Sequence, residues 1–371
     1  MAQPREKPPG QLLIIGFDGT EMSQRLRSLL TRVQPAGVIL FARNIKSPQQ
    51  TWRLLRDCQK CVAIPLFTCV DLEGGKVDRF RDVLAPAPSP AEVFATADRK
   101  LFRKHGRIIG ENCRTLGFNV DFAPVLDLAF ETSRSVMSSR AVSANPRVTA
   151  VYAGEFLAGL RAARVLGCGK HFPGLGEGKL DSHHELPVIH KPLRKLWNQD
   201  LLPYRTLRAQ LPMIMVSHAA FPDVTGGRAP ASLSRKWISE ILRKRIGYRN
   251  LIVSDDLEMG AVRSVASVGE AAVAHIRAGG DLALVCHREE YVEEAFERLS
   301  ATVQSDSHFA RRAAESIRRI LSFKKKSAAL LRFSKSPSST IMEKLSLNLW
   351  EFGEQVRLEA LNQTEEARQS A

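Results

Sequence analysis

Val165-Leu166-Gly167-Cys168-Gly169-Lys170-His171-Phe172-Pro173-Gly174-Leu175-Gly176 is the stretch on which the fold turns. Its first part, with Ala163 and Arg164 before it, is a short apolar run that reads as a buried strand, and Lys170 and His171 follow at the carboxyl end. The glycines beyond them punctuate the chain and favour a loop free to move beside ionisable side chains. A strand that is apolar throughout, instead of alternating, must be covered on both faces, and that is the condition of a parallel sheet.

Working outward, similar runs recur at fairly even intervals: Leu12 to Ile15, Gly37 to Leu40, Leu66 to Val70, Asn119 to Phe122, Met213 to Val216, Leu251 to Val253 and Leu282 to Val285. With the first run they make eight strand candidates. Segments of helical period lie between most of them. One carries Tyr152, Phe156, Leu157 and Leu160, with Asn145 as its cap and Pro146 at its first position; another carries Ile238, Ile241 and Leu242 between Ser234 and Gly247. Apolar strands alternating with amphipathic helices require right-handed crossovers. An open doubly wound sheet shares this alternation, but here residues of chemical interest follow several different strands, as on the carboxyl face of a (β/α)8 TIM barrel.

The α/β barrel is therefore expected over residues 11–305, after a polar segment at 1–10. A C-terminal helical extension and partly disordered tail should fill 306–371, with helices at Phe309 to Phe323 and Met342 to Leu361. The first of these is expected against the barrel's outside.

Composition narrows the class. With 44% hydrophobic and 25% charged residues the chain suits a soluble globular protein with a sizeable core. No apolar stretch approaches the roughly 20 residues of a membrane helix, and no secretory signal is evident. The six cysteines are scattered, which fits reduced thiols in a cytoplasm. Cys58 and Cys61 form a CxxC, but no second pair or flanking histidine completes a zinc site. The net charge of +15 would suit an anionic partner. Nucleic acid is not expected, because the basic segments lack interleaved aromatic residues and any known reader motif.

Three constellations carry chemistry. In the segment Asp71-Leu72-Glu73-Gly74-Gly75-Lys76-Val77-Asp78-Arg79, two carboxylates and an arginine fork could hold hydroxyl groups while the glycines let backbone come close; the same residues could form a turn whose charges pair with one another. Ser254-Asp255-Asp256 ends another strand. One carboxylate should face the barrel axis as a candidate nucleophile and the other should cap a helix or hold a neighbour, although a divalent-metal site would use the same pair. Asp181 and His183 are two residues apart, a spacing that lets a carboxylate fix a histidine tautomer and raise its basicity. The glycines at 174, 176 and 178 followed by Lys179 lack the spacing of a phosphate loop. His218 either lines the pocket or satisfies a carbonyl.

Together these segments resemble the family-three glycoside hydrolases, in particular their bacterial β-N-acetylglucosaminidase branch. KHFPGLGEGKLDSH at 170 to 183 is similar to that branch's KH(F/I)PGHGxxxxDSH signature; GVILFARN at 37 to 44, DLEGGKVDR at 71 to 79, DFAPVLDL at 121 to 128 and SDDLEM at 254 to 259 follow in order. The resemblance spans about residues 12 to 300. It implies a TIM barrel that removes terminal β-linked N-acetylglucosamine with retention and uses no metal or organic cofactor. It further implies Asp255 as nucleophile, His183 as acid/base with Asp181 as its partner, and sugar contacts from Asp71, Arg79, Arg140, Lys170 and His171. A muropeptide fragment, acted on by a cytoplasmic monomer, is the implied substrate. A β-glucosidase or phosphorylase of the same family, and a non-catalytic sugar-binding barrel, remain alternatives. The chain departs from the pattern at Leu175, where the signature has histidine, and at Val142, where phenylalanine is usual.

Overall fold

The structure is a computed structural model that describes residues 9–133, 137–177 and 186–369. In chain order its strands are β1 (Leu13–Ile15), β2 (Gly37–Ile39), β3 (Phe67–Val70), β4 (Leu72–Gly74), β5 (Val77–Asp78), β6 (Val120–Asp121), β7 (Leu166–Phe172), β8 (Met213–Val216), β9 (Leu251–Asp256) and β10 (Leu282–Val285). Eight of them close into a barrel in the order β1-β10-β9-β8-β7-β6-β3-β2. Every neighbour in the ring is parallel. Helices surround the ring, and this is the TIM barrel that the alternation of apolar runs predicts.

Each of the eight predicted runs becomes a strand, but β7 and β9 run further than their apolar residues do. Ser217 N–H donates to Phe172 O at 2.8 Å and Leu257 N–H to Leu284 O at 2.9 Å, so pairing with the neighbouring strand continues into polar sequence. Lys170, His171 and Asp255 thus sit on strands, which fixes them more firmly than loops would. The hairpin β4/β5 is absent from the sequence reading. Gly74 and Gly75 turn it at φ +90° and +61°, and a Cβ at Gly74 would lie 2.2 Å from Pro88 O. Only glycine suits that approach.

The helix Pro146–Ala162 starts as predicted, with the Asn145 side chain accepting from Arg147 N–H at 3.0 Å. The helix expected after Ser234 is wound as a π-helix over Lys236–Arg245, and Ile246 N–H reaches back five residues to Ile241 O at 2.8 Å.

The helix Ser307–Lys326 packs on the outside of the barrel at its floor, where the strands begin. Ser316 Oγ donates to Gly280 O at 2.9 Å, just before β10, and Arg312, Arg319 and Arg243 all pair with the buried carboxylate of Asp281. At the helix's other end the Lys324 ammonium donates to Ala36 O at 2.7 Å, just before β2, and lies 4.8 Å from the Phe67 ring centre. A last helix, Ser339–Gln369, packs Phe352 beside His105 with ring centres 5.8 Å apart.

Lys324 is buried and pairs with no carboxylate among the described residues, and that burial lowers its ionisation from the ordinary 10.5 to about 7, against an opposing pull from Cys69. Between those two values the unfolded chain binds the proton that the folded chain lacks, so Lys324 makes stability rise with pH across that window. We expect Lys324→Met to lose this rise and to be more stable than the parent at pH 7 by on the order of 1 kcal/mol. Urea midpoints of both chains at pH 7 and 8.5 check it, and equal slopes for the two would contradict it.

Candidate active site

A cavity opens where the strands end. Asp71 follows β3, Arg79 follows β5, Lys170 and His171 end β7, and Asp255 ends β9; all five line it, as does Arg140. Residues far apart in sequence therefore converge on one concave site.

Lys170 is the hub. Its side chain is 2% exposed, and its ammonium lies 2.7 Å from Asp71 Oδ1 and 2.7 Å from Glu73 Oε1. On the far side of Glu73, Arg140 donates in parallel from Nε and Nη2 to the two carboxylate oxygens, each at 2.7 Å. This is the bidentate fork that lysine could not supply. Burial alone would push the Glu73 carboxyl up, yet Arg140 and Lys170 outweigh it and hold the group well below the usual carboxylate range. Burial would likewise lower Lys170, but Asp71 and Glu73 hold it well above an ordinary lysine. Glu73, Lys170 and Arg140 consequently all stay charged at neutral pH.

His171 is held by Asp127, whose Oδ2 lies 2.6 Å from Nδ1. That contact places the proton on Nδ1 and leaves Nε2 as the ring's second functional nitrogen. Asp127 Oδ1 also accepts from Leu175 N–H at 2.7 Å, so one buried carboxylate sets both the ring and the start of the following loop. The Leu175 side chain lines the cavity where the family pattern has histidine, and contributes an apolar wall.

Asp255 and Asp256 divide their work much as the sequence reading anticipates. Asp256 N–H donates to Asp255 Oδ1 at 2.9 Å, while the Asp256 side chain accepts from Glu258 N–H at 3.1 Å and meets His287 Nε2 at 3.2 Å. Burial would raise the Asp255 carboxyl, but His171, His218, the Asp256 amide and Lys170 together lower it below the usual range. It is an ionised carboxylate facing the cavity. His218 does not line the cavity. Its Nε2 lies 2.8 Å from Asp256 O and its Nδ1 2.7 Å from Ser232 Oγ, so it braces the strand end, and burial keeps it below an ordinary histidine.

Asp181 and His183 lie outside the described residues. The described stretch before them is anchored: Glu177 meets the buried Lys191 ammonium at 2.9 Å, and Asp200 meets the same ammonium at 2.7 Å.

The sequence reading took Glu73 with Asp71 as carboxylates that could hold hydroxyl groups or pair with neighbouring charges, and the structure pairs Glu73 with Lys170 and Arg140. It gave no role to Asp127, inside the DFAPVLDL segment, or to Phe41 and His287, which line the cavity. Phe41, in the GVILFARN segment, faces the Arg79 guanidinium at 5.7 Å and stacks on His287 with ring centres 5.2 Å apart. His287 had no signal beyond following a strand. Arg79 Nε is buried with no protein partner among the described residues. Cys286 also lines the cavity, but burial pushes its thiol far up, so it stays protonated. Among the described residues no group of three or more histidines, cysteines and carboxylates is arranged to hold a metal. The arrangement suits a polyhydroxylated ring, ringed by charged donors and acceptors with an ionised carboxylate beneath it.

Comparison with known proteins agrees. The profile described as "Glycosyl hydrolase family 3 N terminal domain" matches residues 5–323. A β-hexosaminidase of Bordetella avium is 36% identical over 308 residues, 81% of this chain and 87% of that protein. One of Thiobacillus denitrificans is 35% identical over 294 residues, 77% of this chain and 81% of its own. Among solved structures, a glycoside hydrolase family 3 β-N-acetylglucosaminidase from Paenibacillus sp. superposes with a TM-score of 0.89 at 32% identity, covering 96% of this chain and 69% of that one.

Because Glu73 joins Lys170 to Arg140 in the dark of the barrel, Glu73→Gln should cost about 3 kcal/mol of stability. The folded carboxyl sits below its ordinary 4.5, so its contribution is complete above pH 4.5 and fades as pH falls below it. Denaturant midpoints from pH 6 down to pH 3 should therefore fall more steeply in the parent than in the variant. A variant as stable as the parent at pH 6 would contradict this.

Proposed function

This chain belongs to glycosyl hydrolase family 3, and from that premise we propose that it is a retaining exo-β-N-acetylglucosaminidase working by double displacement. The observation that carries the reading is the ionised Asp255 carboxylate at the end of β9, facing the same cavity as the Lys170–Asp71–Arg79–Arg140 ring. In this reading Asp71, Lys170, Arg79 and Arg140 hold the hydroxyls of a terminal N-acetylglucosamine, and His171 sits nearer the reacting carbon.

Asp255 attacks the anomeric carbon and forms a glycosyl ester as the bond to the leaving oxygen breaks. The leaving oxygen takes its proton from His183. Water then gives a proton to the neutral His183 and attacks the same carbon, freeing the Asp255 carboxylate. Two inversions give net retention. Asp181 would stabilise the imidazolium and keep it available as an acid. The roles of His183 and Asp181 rest on their places in the sequence pattern.

Cell-wall fragments that end in β-linked N-acetylglucosamine are the substrates we infer, with turnover in the cytoplasm. The reduced, scattered cysteines support that compartment.

Release of 4-nitrophenol from its β-N-acetylglucosaminide tests the assignment. The parent should act on this substrate and hardly on the β-glucoside, and adding phosphate should yield no sugar phosphate. His183→Ala should lower kcat by about 10²–10⁴-fold. Asp255→Ala should lose on the order of 10⁴-fold or more. An Asp255→Ala chain with parental kcat would sink the mechanism, and sugar phosphate among the products would make the enzyme a phosphorylase.

A further inference from the structure

In a parallel barrel every connecting helix runs back from the carboxyl ends of the strands, so helix C-termini gather on the floor, opposite the cavity. Cations favour helix C-termini, and the last turns here carry Lys60, Arg114, Arg161, Lys244 and Arg245. Helix ends therefore account for part of the positive charge of the floor.

They do not account for the turn that leaves the floor helix. Between Lys326 and Ser339 the chain belongs to neither helix, yet Leu331 stands 73% exposed beside the exposed Arg332, and Lys325 and Lys326 are exposed just before. The turn is held in place from below. Arg114 donates to Ala329 O at 2.8 Å and also to Arg332 O, and Phe333 packs edge-on against Trp52 at 5.9 Å. Burial and the neighbouring Arg164 guanidinium both lower Arg114, so two cations meet here with no carboxylate between them. The acids along the floor helix are engaged away from the turn: Asp281 by three arginines, Glu315 by Arg312 and Arg319 at 2.9 and 2.7 Å, and Asp306, at the helix's far end, by Arg277 at 3.0 Å. Among the described residues no carboxylate pairs with Lys325, Lys326, Arg332 or Arg164.

We propose that the barrel floor, at the turn carrying Lys325, Lys326, Leu331 and Arg332, docks peripherally on an anionic lipid bilayer and leaves the cavity facing away from it. Charge selects an anionic surface. The leucine selects a bilayer over a nucleic acid, because an exposed aliphatic side chain gains by entering the headgroup layer, whereas a nucleic acid would call for stacking aromatic rings. No described helix is long and apolar enough to cross a membrane, so the association is peripheral and salt-sensitive.

Co-sedimentation with extruded vesicles tests this. We expect the full chain to bind vesicles of phosphatidylcholine with about 30% phosphatidylglycerol at low salt, to leave pure phosphatidylcholine unbound, and to be released as salt rises. The variant Lys325→Glu/Lys326→Glu/Arg332→Glu should bind the anionic vesicles at least about tenfold more weakly. Leu331→Ser should weaken binding while keeping its salt dependence. Thermal melts establish that each variant is folded without relying on the hydrolase reading, and none of these residues touches the cavity, so turnover of a soluble glycoside should match the parent. Absence of binding to the anionic vesicles overturns the proposal, as does equal binding by the folded charge-reversed variant. Binding of the parent to an RNA duplex but not to vesicles overturns it in favour of a nucleic-acid partner.

Discussion

The Lys170 ammonium, sealed inside the barrel and balanced by Asp71 and Glu73, is the contact on which the site depends. An isolated buried ammonium would give up its proton or draw in water; two carboxylates at hydrogen-bond distance keep it charged. Glu73 in turn fixes Arg140 through a two-point fork, and Asp71 lines the cavity. Remove the lysine and two carboxylates are left close together, one of them fully buried.

From that hub the rest of the cavity follows by strand neighbourhood. His171 comes next on β7 and is turned by Asp127, which stands just beyond β6. Asp255 ends β9, two strands away, and is kept ionised although buried, because His171, His218 and Lys170 supply positive charge or polarisable donors around it. Site preorganisation of this kind costs little at the moment of reaction, since the groups are held by strands and by one another. Phe41 and His287 form the rim, with Arg43 reaching both Cys286 O at 2.7 Å and His287 Nδ1 at 3.1 Å.

The two ends of the barrel are built differently for a physical reason. Parallel strands end in loops that carry specific side chains into the cavity, whereas the floor collects helix C-termini and the cations that suit them. The buried Asp281 holds three arginines on the floor and so ties the helix Ser307–Lys326 to the start of β10. Lys324 plugs the opposite edge and pairs with no carboxylate among the described residues, and its burial makes the floor pH-sensitive.

Periodicity determined the eight strands, because an apolar run has to be buried whatever lies beyond it, and the chemically able residues that follow several of those strands favoured the closed barrel over an open sheet. Local chemistry also gave the Asn145 cap and put Asp71, Lys170, His171 and Asp255 at strand ends. The Glu73 fork, the Asp127 hold on His171 and the His287–Asp256 contact were not legible, because each joins residues separated by tens of positions through a distance that only packing sets. The same is true of the extended reach of β7 and β9, where a neighbour's hydrogen bonds overrule polarity, and of which end of the barrel the helix Ser307–Lys326 covers. Sequence fixes which surfaces must be hidden and which groups are chemically able; the tertiary structure decides which of those groups meet, since electrostatic and hydrogen-bond energies depend on ångström distances that no spacing along the chain records.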